Sequence, residues 1–209
     1  MNTSDLKLLI VEDHPIVREG LRKALSARGF IEIIEAASCA EGRAQLSKCD
    51  PEILITDLHL PDGLSFEIIT WARKLKPEMA IIILTVESNP NFLLAAAESG
   101  ANAVIHKSAP VSHVIGAIEA GLRAPRSFTA EGLAEAMRLE RERPKFTPRE
   151  LEILEKLITG AELRSIGRAL YISLPTVKTH LANIYRKLEC DNRTTAITRA
   201  LALGLVHIK

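Results

Sequence analysis

A chain of 209 residues, 47% hydrophobic and 25% charged, has the composition of a folded globular protein and room for two ordinary domains. No apolar run approaches the ~18 residues of a membrane span, and nothing near the start has the order of a secretory signal, so the expectation is a cytoplasmic protein without membrane contact. The formal charge of +1 hides a division: residues 1–121 carry 11 Lys/Arg against 16 Asp/Glu, whereas residues 145–209 carry 11 against 6, which points to a nucleic-acid surface at the C-terminal end.

Through the first half, short apolar runs alternate with helical patterns. The runs are Leu6–Val11, Ile31–Glu35, Ile53–Thr56, Ala80–Leu84 and Ala103–His106, with helix-like stretches at about 14–28, 39–48, 64–75, 89–98 and 111–121. Five strand-and-helix units predict a doubly wound, five-stranded parallel α/β sheet over residues 1–121. Such sheets hold their sites beyond the carboxyl ends of the strands. The first strand is followed there by Glu12-Asp13-His14-Pro15, with Pro15 opening a helix. Alone, the two acids would be charges complementing a helix dipole. The third strand ends on Asp57, ahead of a Pro61/Gly63 turn; the fourth brings Thr85 and the fifth Lys107. Converging carboxylates with room for water suit Mg²⁺, and a hydroxyl and an ammonium beside them suit a phosphoryl group on Asp57. Cys39, Cys49 and Cys190 show no CxxC or Cys/His spacing and read as packing residues. The six histidines form no metal pattern, and His14 and His59 read as loop residues.

Glu12-Asp13, Asp57 with Pro61 and Gly63, Thr85 and Lys107 together resemble the receiver domain of two-component response regulators, a flavodoxin-like fold. The resemblance implies that Asp57 takes a phosphoryl group from the phosphohistidine of a sensor histidine kinase. It implies Mg²⁺ held by Asp13, Asp57 and the His59 backbone carbonyl, with Glu12 acting largely through water. Thr85 would hydrogen-bond a phosphoryl oxygen, and Lys107 would pair with it. One position departs from the pattern: many receivers carry an aromatic residue three places before the lysine, where this chain has Val104. A small β-branched side chain cannot report the switch in the same way.

Residues 122–145 read as a linker with a short helix of its own. Pro125 breaks the preceding helix, Thr129 can cap a new one, Leu133–Arg143 is helical, and Pro144 stops it. Leu133, Ala136, Met137 and Glu140 would share one face of that helix.

Residues 146–209 open with Thr147-Pro148-Arg149-Glu150, a full capping box with a first-turn proline. A second helix is expected over Glu162–Leu170, and a third from Ser173. In the third, Val177, Leu181, Ile184 and Leu188 repeat at helical spacing and mark the buried side. Ser173 at its start and Thr176, Lys178, Thr179, Asn183, Arg186 and Lys187 on its outer side offer hydroxyls, an amide and cations, the groups that read a major groove and its bordering phosphates. Thr147–Glu150, Gly160, Ile166, Leu170, Ser173, the run 176–180, the run 183–188 and Arg193-Thr194 resemble the LuxR-type helix-turn-helix of NarL/FixJ response regulators. The resemblance implies double-stranded DNA as partner and a dimer surface on a fourth helix at about 192–203. The departure is Leu163-Arg164-Ser165-Ile166-Gly167, where Gly167 should loosen the second helix by up to about 1 kcal/mol relative to Ala.

The expectation is therefore an α/β receiver followed by a small all-α helix-turn-helix domain. It would be a phosphorylation-controlled transcriptional regulator that dimerises on DNA, not an enzyme with a separate substrate. Two rivals stand beside it: a DNA-binding regulator that never needs phosphate, and a phosphoryl-accepting protein whose output is protein binding.

Overall fold

The computed structural model describes residues 5–87, 91–142 and 144–206. It divides into two compact units, residues 1–141 and 142–209. The first unit runs β1 (Lys7–Val11), α1 (Pro15–Ser26), β2 (Glu32–Ala36), α2 (Cys39–Cys49), β3 (Ile53–Asp57), β4 (His59–Leu60), β5 (Gly63–Leu64), α3 (Phe66–Leu75), β6 (Ala80–Thr85), α4 (Asn91–Ser99), β7 (Ala103–His106), α5 (Val111–Arg123), β8 (Thr129–Ala130) and α6 (Leu133–Glu142). The second runs α7 (Pro148–Ile158), α8 (Leu163–Ala169), α9 (Leu174–Lys187) and α10 (Arg193–Ala202).

The main sheet is parallel throughout, in the order β2-β1-β3-β6-β7-β8. Helices cover both faces, so the central strands read as unbroken apolar runs, and every residue of β3 and β6 is buried. Alternation along the strands divides the core. Leu9, Val11, Leu54, Ile81 and Ile83 pack with Leu46, Ile68, Ile69, Ala72 and Ala96 of α2, α3 and α4. Leu8, Ile10, Ile53, Ile55, Ile82 and Leu84 pack with Leu21, Leu25, Val114 and Ile118 of α1 and α5. Full burial of each such Leu, Ile or Val side chain contributes roughly 1.5–3 kcal/mol. From β1 the chain steps first to β2 on one side and then to β3 on the other, so the crevice lies between the carboxyl ends of β1 and β3.

The sheet has six strands where five were expected. Thr129 does not cap a helix: its N–H donates to the Asn102 carbonyl at 2.9 Å, and Thr129–Ala130 pairs with Ala103–Val104. Two residues carry no readable period, but they give the edge of β7 hydrogen-bond partners that it would otherwise lack. The approach to β8 is pinned from below. The Asn102 side chain donates to the carbonyls of Pro125 (2.8 Å) and Ser127 (3.1 Å), while its Oδ1 accepts from Ile81 N and from the Arg73 guanidinium, each at 2.8 Å. Of the face expected on α6, Ala136 is buried and Met137 is 43% exposed. The fourth expected helix begins within 88–90, outside the described residues, as do the last expected residue of the linker helix, Arg143, and the chain end after 206.

In the second unit the capping box forms as the sequence predicts, with Thr147 Oγ1 accepting from Glu150 N and the Glu150 carboxylate accepting from Thr147 N. Ile153, Leu154, Leu157, Ile166, Val177, Leu181, Ile184, Leu188, Ala196 and Ala200 form its core. Gly167 has a different meaning here from the one helix propensity suggests. A Cβ at 167 would lie 2.8 Å from the Ile172 carbonyl oxygen, in the turn that enters α9. Gly167→Ala is therefore expected to destabilise this unit by about 1–3 kcal/mol through overpacking. Calorimetry of the full chain reads this directly; a higher unfolding temperature would show that propensity wins.

Candidate functional site

Glu12 and Asp13 follow β1 directly, Asp57 closes β3, and Lys107 follows β7, so the sheet delivers all four to one edge. Glu12 and Asp57 are 2% and 6% exposed. Lys107 Nζ lies between them, 2.6 Å from Asp57 Oδ2 and 2.7 Å from Glu12 Oε2. Burial works against the ammonium, but its bonds to Asp57 and Glu12 outweigh it and hold the Lys107 pKa above the ordinary lysine value. Two buried anions thus share one cation that stays charged. Arg18 braces the loop by donating to the Glu12 carbonyl at 2.5 Å and to the Glu35 carboxylate.

Carboxylate oxygens of Glu12, Asp13 and Asp57, with a ring nitrogen of His14, fall within 4.8 Å of one another. Asp13 Oδ1 is buried and has no well-aligned donor among the described residues, although His14 Nδ1 lies 2.7 Å away. A buried carboxylate oxygen without a donor is costly unless something else occupies its lone pairs. The three carboxylates of this set are hard oxygen donors, which fit a hard divalent cation. His14, read from sequence as a loop residue, is exposed, but its ring bonds Glu12 and sits by the Asp13 charge; both raise its pKa.

His59 opens β4, and its N–H donates to Asp57 Oδ1 at 3.4 Å. Thr85 is buried at the end of β6, one residue beyond the Leu84 that pairs in register with Asp57. Its hydroxyl accepts from Glu87 N at 2.9 Å, so in this state it faces its own loop. Val104 is half-buried opposite Ile83 and lines a cleft of about 810 Å³ with Thr85, Phe92 and His106.

On α9 the predicted buried face is buried: Val177, Leu181, Ile184 and Leu188 are at most 6% exposed. Ser173 caps the helix, its Oγ accepting from Thr176 N and lying 2.7 Å from Thr176 Oγ1. Thr179 Oγ1 donates to the Pro175 carbonyl, and Arg186 donates to Asn183 Oδ1 at 3.3 Å. Lys178 is exposed and has no ion-pair partner among the described residues. Lys187 differs from the rest. Its Nζ lies 2.6 Å from Glu150 Oε2 and 5.4 Å from the Phe146 ring centroid, so its charge is already engaged within the unit. Sequence spacing placed it on the outer side, but spacing assigns a face and not the reach of a long side chain.

Comparison with known proteins bears on both halves. Residues 8–119 match the model of the response regulator receiver domain, and residues 144–200 match that of the luxR family of bacterial regulatory proteins. The response regulator protein VraR of Staphylococcus aureus is 30% identical over 207 residues, covering 97% of this chain and 99% of VraR. The RcsB response regulator of Salmonella typhimurium superposes with a TM-score of 0.72 at 26% identity, over 93% of this chain and 98% of that one. A structure of two RcsB dimers bound to two DNAs gives 0.61 at 26% identity, over 94% and 98%. RcsB on a promoter with the phosphomimetic BeF3⁻ gives 0.63 at 25% identity, over 96% and 99%. No helix among the described residues is long and apolar enough to cross a membrane.

Proposed function

Since the chain belongs to the response regulators, with a receiver domain and a LuxR-type DNA-binding domain, we propose that Asp57 is its phosphoryl acceptor and that the acceptor's charge state controls DNA binding. The observation that carries this is the buried Asp57 carboxylate held 2.6 Å from Lys107, beside two further acids, at the one edge where the topology opens a crevice. An Asp57 oxygen attacks phosphorus; the new O–P bond forms as the N–P bond of a kinase phosphohistidine breaks, and the imidazole leaves with the electron pair. Lys107 remains cationic and pairs with the phosphoryl oxygens. Asp13, Asp57 and the His59 carbonyl would hold Mg²⁺, with Glu12 acting through water; the ion supplies charge neutralisation that lets two anions approach. Thr85, freed from Glu87 N, would bond a phosphoryl oxygen and so reorder the following loop.

In the second unit Ser173, Thr176, Lys178, Thr179, Asn183 and Arg186 form the surface offered to the major groove of double-stranded DNA, and a homodimer reads two half-sites. A cytoplasmic location follows from that reading. Lys187, read from sequence as a phosphate contact, has less charge to offer because Glu150 already neutralises it.

Intact mass after incubation with acetyl phosphate and Mg²⁺ tests the acceptor. One phosphoryl adduct is expected on the wild type and none on Asp57→Asn, with tighter duplex binding by the modified protein. A second reading, DNA binding that never needs phosphate, is favoured by Val104, a small side chain lining the cleft beside Thr85 where many receivers carry an aromatic residue. An adduct that leaves DNA affinity unchanged would select it.

A further inference from the structure

The Asp57 loop carries a carboxylate that the proposed chemistry does not use. We infer that Asp62 is a positioning residue for the metal site, holding the hairpin that presents His59 by clamping its tip to the start of α2; this rests on the Mg²⁺ reading above. Asp62 Oδ1 accepts from Cys39 N and Oδ2 from Ala40 N, both at 2.9 Å. These are first-turn N–H groups, which a helix cannot satisfy internally. The two donors hold the Asp62 carboxyl below its ordinary range.

The hairpin itself is slight. His59 pairs with Leu64 and Leu60 with Gly63, a ladder of two residues on each strand. An isolated ladder of that size is marginal. Its base is tied, because Ser65 N donates to the Leu58 carbonyl at 3.0 Å. Its tip is exposed: Pro61, Asp62, Gly63 and Leu64 all face solvent. Gly63, at φ +132°, has nothing within 4 Å of where a Cβ would stand. Packing therefore does not restrain the tip, and the carboxylate bridge to α2 does. His59 lies on the strand between the tied base and the clamped tip. Asp57, Glu12 and Asp13 stand on the main sheet or directly after it and do not depend on the clamp. Leu58 and Leu60, on either side of His59, are buried in the core, so loss of Asp62 frees the tip, loosens the placement of one expected ligand, the His59 carbonyl, and leaves the acids in place.

The test is calorimetric titration of the full-length protein with Mg²⁺, comparing wild type, Asp62→Ala, Asp62→Asn and Ser38→Ala. Ser38 is the control because its hydroxyl caps the same helix, accepting from Glu41 N, without touching the hairpin. Asp62→Ala is expected to weaken Mg²⁺ binding on the order of tenfold, the usual scale for losing a group that orients a ligand. Asp62→Asn keeps an oxygen acceptor and recovers most of the affinity. Ser38→Ala lowers the unfolding temperature and leaves Mg²⁺ affinity unchanged. With acetyl phosphate, Asp62→Ala needs more Mg²⁺ to reach the same plateau rate. Unchanged Mg²⁺ affinity in Asp62→Ala overturns the proposal, as does equal weakening by Ser38→Ala, which would assign the effect to helix stability. A wild type that binds no Mg²⁺ overturns the metal reading itself.

Discussion

Lys107→Met is expected to lower the unfolding temperature of the first unit sharply in EDTA, and Mg²⁺ is expected to restore most of the loss. The ammonium bonds both Asp57 and Glu12, which are almost wholly buried. Removing one partner of a buried charge cluster costs about 3–5 kcal/mol, because the partners left behind keep their desolvation penalty without compensation. Here two anions remain, facing each other. A divalent cation that binds only the folded state restores stability by mass action, in proportion to how much better it binds the acid-only site. Trp71, the single tryptophan, lies on α3 and packs partly buried against the core, so its fluorescence reports this unit's transition. In the wild type the pKa of Lys107 is raised. Its contribution is therefore complete below the unfolded-state lysine value and is lost only as pH rises through the folded one, in the alkaline range. A variant as stable in EDTA as the wild type would mean that the ammonium is not what holds the two acids together.

In the second unit, Lys187→Met and Lys178→Ala are expected to fail in opposite ways. Glu150 is 3% exposed, and one of its oxygens accepts from Lys187 Nζ (2.6 Å), Thr147 N (2.7 Å) and Thr147 Oγ1 (3.0 Å). Burial alone would raise its pKa, yet the bonds from Lys187 and Thr147 bring it below the ordinary glutamate value. A depressed carboxylate contributes stability that is present above its unfolded pKa and is lost as pH falls through the folded one. This unit should therefore weaken at acid pH, below the usual glutamate range. Lys187→Met leaves a buried anion with only the cap donors, a loss of about 2–4 kcal/mol at neutral pH that shrinks on acidification. Hydrogen exchange in α7 and α9 should accelerate. Lys178→Ala touches no such network and should leave exchange unaltered while weakening operator binding. Faster exchange in Lys178→Ala with unchanged operator affinity would reverse the two assignments.

The parts of the fold that were legible in the sequence have in common that burial sets their period. Leu6–Val11, Ile53–Thr56 and Ala80–Leu84 read as strands because helices cover both faces, and the candidate site could be proposed because polar residues that core strands avoid follow those runs. The capping box was legible because its partners lie three residues apart. What escaped depends on contacts distant in sequence. Asp62 meets Cys39 and Ala40 across more than twenty positions, and nothing in Pro61-Asp62-Gly63 distinguishes a clamp from a turn. Lys187 finds Glu150 across 37 positions. Thr129–Ala130 is too short to show alternation, so a capping hydroxyl was the simpler reading of Thr129. Gly167 shows the limit of propensity: its helix tolerates a poor helix former because the neighbouring turn leaves no room for a better one.

The sixth strand bears on how this protein can be recombined. A modular view would end the first half at Arg123, where α5 stops, and join another output domain there. Such a junction would discard Pro125 and Ser127, whose carbonyls satisfy the Asn102 amide, and would strip β8 from the edge of β7. The severed half would carry an orphaned buried amide and a bare strand edge, the usual beginnings of edge-to-edge aggregation. A chimaera that keeps everything through Arg141 retains both, so the natural seam for domain exchange lies after the linker helix and not before it.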